Sequence, residues 1–72
     1  MQFYQRLKDL REDADLNQEQ VAKVIGTSQS YYAQYESGKR ALPFERAITL
    51  ALHYNVSLDY LAGLIDTPRK LR

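Results

Sequence analysis

Apolar side chains recur along this chain with the three- and four-residue step of a helix rather than the two-residue alternation of a strand. Phe3, Leu7, Leu10 and Ala14 follow at steps of four, three and four, which sets them on one stripe. Arg6, Lys8, Asp9, Arg11, Glu12 and Asp13 fill the remaining faces. Asn17 then stands three residues before Gln20, the pairing of a capping box, and Leu16 and Val21 are spaced as a hydrophobic staple. A short second helix is therefore predicted over Gln18 to Ile25, stopped by Gly26. Ser28 caps a third helix from Gln29 to Ser37, closed by Gly38. Pro43 suits the first position of a fourth, with Phe44, Ala47, Ile48 and Ala51 on one side. Ser57 caps a fifth, with Val56 and Leu61 as a second staple. Gly26, Gly38 and Gly63 each fall just past a periodic segment, where a left-handed cap usually stands. The expected fold is all-α, a compact five-helix bundle.

Composition narrows what such a bundle can do. Seventy-two residues make one small unit, and a chain of that size buries only roughly 60% of its unfolded surface. Without cysteine there is no disulfide, thiolate metal site or Cys nucleophile, and one His leaves zinc short of nitrogen ligands. Neither metal nor cofactor is expected. An apolar share of 44% and a charged share of 26% are those of a folded chain. The richest apolar stretch, Ala47 to Leu52, is interrupted by Thr49 and too short to span a membrane. The charged N-terminal segment leaves no room for a secretory signal, so the expected location is the cytoplasm, on the nucleoid if the chain binds DNA. Ten basic against nine acidic side chains give a net charge of +1. Any polyanion must be met by local sorting of charge rather than by excess.

The third helix carries the most informative surface. Only Gly26, Thr27 and Ser28 separate it from the second, a connection suited to a helix-turn-helix unit. At 100° per residue, with Gln29 at 0°, Ala33 falls at about 40°, Ser37 at about 80°, Ser30 at about 100° and Gln34 at about 140°. Tyr31, Tyr35, Tyr32 and Glu36 occupy the other arc, where the aromatic side is expected to be sequestered. The opposite face carries short or amide side chains and no charge. Gln can donate and accept at once toward adenine N6 and N7, and Ser suits several base edges, so this face fits the floor of a major groove. Gln18 stands at the start of the second helix, where backbone N–H groups favour a phosphate. Lys39 and Arg40 follow Gly38 directly, placed for backbone phosphates.

With those residues in view, the chain resembles the phage repressor and Cro type of helix-turn-helix protein, the XRE-like family with a lambda-repressor-like bundle. The matching stretches are LKDLRED, LNQEQVAKVIGTSQSYYAQYESGKR, a proline, and YNVSLDYLAG, between Leu7 and Gly63. Gln18, Ala22, Gly26, Ser28, Glu36 and Gly38 stand at the family's spacing. The resemblance implies that Ser28, Gln29, Ser30 and Gln34 contact bases. It implies that Gln18, Lys39 and Arg40 meet the DNA backbone. Ser37 is assigned there as well, although it replaces an Asn common in the family, and the Tyr31 hydroxyl is placed to reach either the backbone or solvent. Tyr32 and Tyr35 take positions usually held by Ile or Leu facing the core, so their hydroxyls are expected at a polar edge. Arg11 and Glu36 match a structural ion pair between helices one and three.

The function expected from this resemblance is sequence-specific binding of double-stranded DNA by a transcriptional regulator, a repressor acting as a homodimer on a pseudo-palindromic operator. The unit is expected over residues 1–65, followed by a basic, disordered tail over 66–72 that includes Arg69, Lys70 and Arg72. Leu52, Leu64 and Ile65 are candidates for a dimer surface. A signal would have to act through a regulatory protein partner, proteolysis or concentration. The rival class is an interaction module using the same fold to dock a protein, which would leave Gln29, Ser30 and Gln34 indifferent to duplex DNA. An enzyme is the weakest reading, since Asp13 and Asp15 have no His, metal cluster or phosphate loop beside them.

Overall fold

The computed structural model describes residues 2–68 and contains five helices: α1 (Phe3–Asp13), α2 (Gln18–Val24), α3 (Gln29–Glu36), α4 (Phe44–Tyr54) and α5 (Leu58–Leu61). No strand occurs among the described residues. Arg69, Lys70 and Arg72 of the expected tail lie outside them.

Local chemistry sets most helix ends. Asn17 accepts from the Gln20 backbone N–H and donates its own N–H to the Gln20 side chain, both at 2.8 Å, so the capping box of α2 is closed in both directions. Ser28 and Ser57 cap α3 and α5 by accepting from Tyr31 and Tyr60 N–H groups. Gly26 takes a positive φ of 73°, and Thr27 N–H then reaches back to the Ala22 carbonyl at 2.9 Å. Asn55, with φ 55°, does at the end of α4 what glycine does after the other three short helices. Pro43 sits one residue earlier than expected. It is the extended N-cap of α4, with ψ 144°, and the helix starts at Phe44.

The core is built around Leu7, Val21, Ala22, Tyr32, Tyr35, Leu50, Ala51 and Leu61. Two tyrosines are the largest fully buried side chains, which gives this small core polar atoms to satisfy. On α4 the buried face is Ala47, Leu50 and Ala51. Phe44 and Ile48, expected beside Ala47, are instead exposed, because α4 is rotated so that Leu50 enters the core. Ala14 likewise leaves its stripe, being the exposed C-cap residue of α1.

Arg6, assigned to a polar face, is only 3% exposed. Its Nη1 donates to the Tyr60 carbonyl at 2.6 Å and the Ile65 carbonyl at 3.2 Å, and its guanidinium lies 3.7 Å from the Tyr60 ring centroid. Asp66 approaches it at 3.9 Å. The buried cation thus ties α1 to the carbonyls at and beyond the end of α5.

Candidate nucleic-acid interface

Helices α2 and α3 pack on each other across the Gly26–Ser28 turn, and α1 braces α3 from behind. The brace is ionic. Arg11 Nε donates to Glu36 Oε2 at 2.7 Å and Nη2 donates to Glu36 Oε1 at 3.1 Å, a bidentate pair whose Glu36 side chain is only 5% exposed. Arg11 also donates to the Leu16 carbonyl at 2.9 Å, so the same guanidinium fixes the loop before α2. Burial alone would push the Glu36 carboxyl up. The hydrogen bonds from Arg11 and Gln18 and the Arg11 charge outweigh it, and the group is held below the ordinary carboxylate range.

From Glu36 a chain of amides runs out to the reading face. Gln18 Nε2 donates to Glu36 Oε1 at 3.2 Å, and Gln18 Oε1 accepts from Gln29 Nε2 at 2.8 Å. A carboxylate only accepts, so it fixes which end of Gln18 faces it, and Gln18 in turn fixes Gln29. Gln29 is left presenting its Oε1 and one N–H to solvent. That is the donor-and-acceptor pattern complementary to an adenine edge. Beside these residues lies an open polar hollow of about 390 Å³, lined by Arg11, Asn17, Gln18, Glu19 and Gln29.

At the other side of the same face Gln34 is half-buried and differently set. Its Oε1 accepts from Arg40 Nε at 3.2 Å. Guanidinium nitrogens only donate, so this amide turns its NH2 outward, suiting acceptor edges such as guanine N7 and O6 or thymine O4. Ser30 is exposed between the two glutamines, with Ala33 half-buried. Ser28 spends its oxygen on the α3 cap, and Ser37 donates to the Gln34 carbonyl at 3.2 Å.

Tyr31 departs from the expected sequestered arc, being 38% exposed. Its ring lies under the Arg40 guanidinium at 4.6 Å and stacks edge-on against Tyr35. Tyr35 and Tyr32 are buried, and their hydroxyls differ. Tyr35 accepts from Arg46 Nη1 at 2.8 Å. The Tyr32 hydroxyl lies close enough to feel the Glu36 charge yet closes no hydrogen bond of ordinary geometry, and the Tyr54 hydroxyl is likewise unpartnered. Both core tyrosines thus turn their hydroxyls to a polar edge, Tyr35 to Arg46 and Tyr32 toward the Glu36 carboxylate, but only Tyr35 closes a well-formed bond. Burial, reinforced by the Glu36 charge, pushes the Tyr54 phenol up to about 12 and Tyr32 higher still.

After α3 the chain turns at Gly38, φ 81°, where a Cβ would meet the Tyr4 ring at 3.0 Å. Tyr4 of α1 therefore packs on the backbone that carries Lys39 and Arg40. Neither of those two cations has an ion-pair partner among the described residues, and both are exposed. Arg46, Tyr4 and the Gln18–Gln29 bond had no sequence signal. Each depends on how α1, α2 and α4 are set against α3.

This architecture, two short helices across a three-residue turn with a braced and uncharged outer face, defines a helix-turn-helix protein. The helix-turn-helix family model HTH_3 matches residues 7–61, and the chain belongs to that family. It is 41% identical over 66 residues to the uncharacterized HTH-type transcriptional regulator YobD of Bacillus subtilis, covering 92% of this chain. It is 37% identical over 65 residues to the cryptic phage CTXphi transcriptional repressor RstR of Vibrio cholerae, covering 90% of this chain. The chain spans 59% of the length of each of these relatives. A transcriptional regulator from Listeria innocua superposes with a TM-score of 0.84 at 29% identity, over 92% of this chain and 62% of that one.

Proposed function

We propose that this chain binds a double-stranded DNA operator and represses transcription, with α3 in the major groove. The observation that carries the reading is the polarity of its outer face. Gln29 and Gln34 are each oriented by a neighbour of fixed hydrogen-bonding character, and the face between them holds no charge. Ser28 and Ser30 complete the base-reading set. Gln18, Tyr31, Ser37, Lys39 and Arg40 are assigned to backbone phosphates at the two sides of it. Arg11 and Glu36 hold α3 at its angle and are kept off the bases. The kinship with a phage transcriptional repressor supports the direction of regulation.

One such helix discriminates too few base pairs against a genome of competing sites. A homodimer reading half-sites about 34 Å apart would supply the rest, and predicts a pseudo-palindromic operator. An apolar cleft of about 240 Å³ between Phe3, Leu42, Phe44 and Leu58 supports this reading. So does the exposure of Phe44 at its edge and of Leu52 and Leu64 elsewhere on the surface, whereas Ile65 is half-buried. Among the described residues no helix is long and apolar enough to cross a membrane. The DNA-binding reading places the protein in the cytoplasm, on DNA when bound. A non-enzymatic role and control by a partner protein belong to the same proposal. A salt titration against random duplex tests it: DNA binding gives a steep negative slope of log affinity on log salt, and a protein-docking module gives none.

A further inference from the structure

Around the third helix the side chains that flank the reading face fall in a definite lateral order. Moving away from Gln34, the next group is the Arg40 guanidinium, then the Tyr31 ring 4.6 Å beneath it. Beyond that lies Arg46 of α4, 5.9 Å from the Tyr31 centroid and 6.0 Å from that of Tyr35. Tyr31 is thus flanked by two guanidiniums from different segments. Arg46 is further anchored by its hydrogen bond to the Tyr35 hydroxyl, which is held in the core. Like Arg40, it has no ion-pair partner among the described residues.

Two like charges over one ring repel, and among the described residues no carboxylate within ion-pair distance relieves them. An anion in front of Tyr31 would be met by both. Arginine suits that role because its planar fork matches phosphate oxygens and stacks on aromatic faces without losing its donors. Of the five donors in the Arg46 guanidinium, the Tyr35 bond occupies one, leaving the rest for a ligand. The position also suits the ligand. When a helix lies in a major groove, the groups one step to the side of its reading face meet the phosphates bordering the groove. Gln18 stands at one such side, and Arg40, Tyr31 and Arg46 stand at the other.

We propose that Arg46, on the first turn of α4, forms with Arg40 and Tyr31 a clamp for one backbone phosphate. α4 then contributes directly to DNA affinity, in addition to the Lys39–Arg40 loop. The inference rests on the DNA-binding reading. Its test is the salt dependence of binding to a short random-sequence duplex, followed by fluorescence anisotropy, with circular dichroism melts of every variant. Arg46→Gln removes the charge and, with its shorter side chain, the bond to Tyr35. It is expected to lower the salt slope by about one unit while melting like Tyr35→Phe. Arg46→Lys keeps the charge and the wild-type slope, with weaker binding from the lost fork. Tyr35→Phe, which removes only the anchoring hydroxyl, keeps the slope as well. A wild-type slope in folded Arg46→Gln overturns the clamp. If that variant fails to fold, a reduced slope in Arg46→Lys overturns it instead. Absence of any salt-dependent binding by the wild-type protein would defeat the DNA reading itself, a result distinct from both.

Discussion

Gln18 and Gln29 stand eleven residues apart in sequence, yet their amides meet at 2.8 Å, and the bond gives Gln29 one defined orientation. The orientation is inherited through Glu36, which receives Gln18, and ultimately from Arg11, which holds Glu36. A core ion pair thereby sets the donor and acceptor pattern shown at the surface.

This makes Gln18 a positioning residue in addition to its proposed role as a phosphate contact. Gln29→Ala should cost about 1–3 kcal/mol at its own base pair and leave neighbouring preferences intact. Gln18→Ala should weaken preference at that same base pair, because Gln29 is then free to turn. Competition of single-base operator variants against the parent duplex measures both. Independent positions for the two losses would break the link.

Arg11→Met or Glu36→Gln strands the remaining partner in a nearly solvent-free site, at a cost of roughly 3–5 kcal/mol. In a domain of this size that corresponds to a fall in Tm on the order of 10 °C or more. Because Glu36 is held below the ordinary range, its contribution is complete above the unfolded-state carboxylate pKa and is lost as pH falls through the lower folded value. Acid melts should therefore show a steeper loss of stability in the wild type than in Glu36→Gln. Parallel acid limbs would place the pair outside the stability account.

The tyrosines separate cleanly. Tyr54→Phe removes a buried hydroxyl with no partner and should be neutral or stabilising by up to about 1 kcal/mol, whereas Tyr35→Phe loses a bond to a cation and should destabilise by about 1.5–3 kcal/mol. The sign at high pH follows from their folded values. With Tyr32 and Tyr54 raised above the ordinary 10.0, the unfolded chain releases those protons first. Their contribution is intact below that value and declines as pH rises through the folded ones. Melts taken between about pH 9 and 12 check it, with Tyr54→Phe expected to show a shallower decline. An equally steep decline in that variant would mean Tyr54 is not the group responsible.

Most of the fold was legible because it is written locally. Caps at Asn17, Ser28 and Ser57 and stops at Gly26 and Gly38 use short-range rules that tolerate little tertiary override. Arg6 was misread for the opposite reason. Its burial follows from the Tyr60 and Ile65 carbonyls that receive it, far along the chain, and periodicity carries no trace of them. The rotation of α4 that exposes Phe44 and Ile48 is of the same kind, set by where α5 and α1 leave room. At the interface, the uncharged arc of α3 could be read from spacing. The orientation of its amides could not, since that comes from Arg11, Gln18 and Arg40 on three other segments.

Lys39→Ala and Arg40→Ala should weaken binding to every duplex, each flattening the salt slope by about one unit. Arg40→Ala should do more. It also frees Gln34 Oε1, so the preference at the Gln34 base pair should shift from an acceptor edge toward adenine. Base preferences identical to those of Lys39→Ala would show that Arg40 does not orient Gln34.

The central claim, that α3 reads DNA through two oppositely set glutamines in a two-fold assembly, is tested most directly by selecting bound duplexes from a random pool. The expected winners contain two inverted half-sites centred about 34 Å apart. Each half-site should hold one adenine lost on Gln29→Ala and one guanine or thymine lost on Gln34→Ala. Enrichment of no sequence, or of sequences whose preferences survive both substitutions, would contradict it.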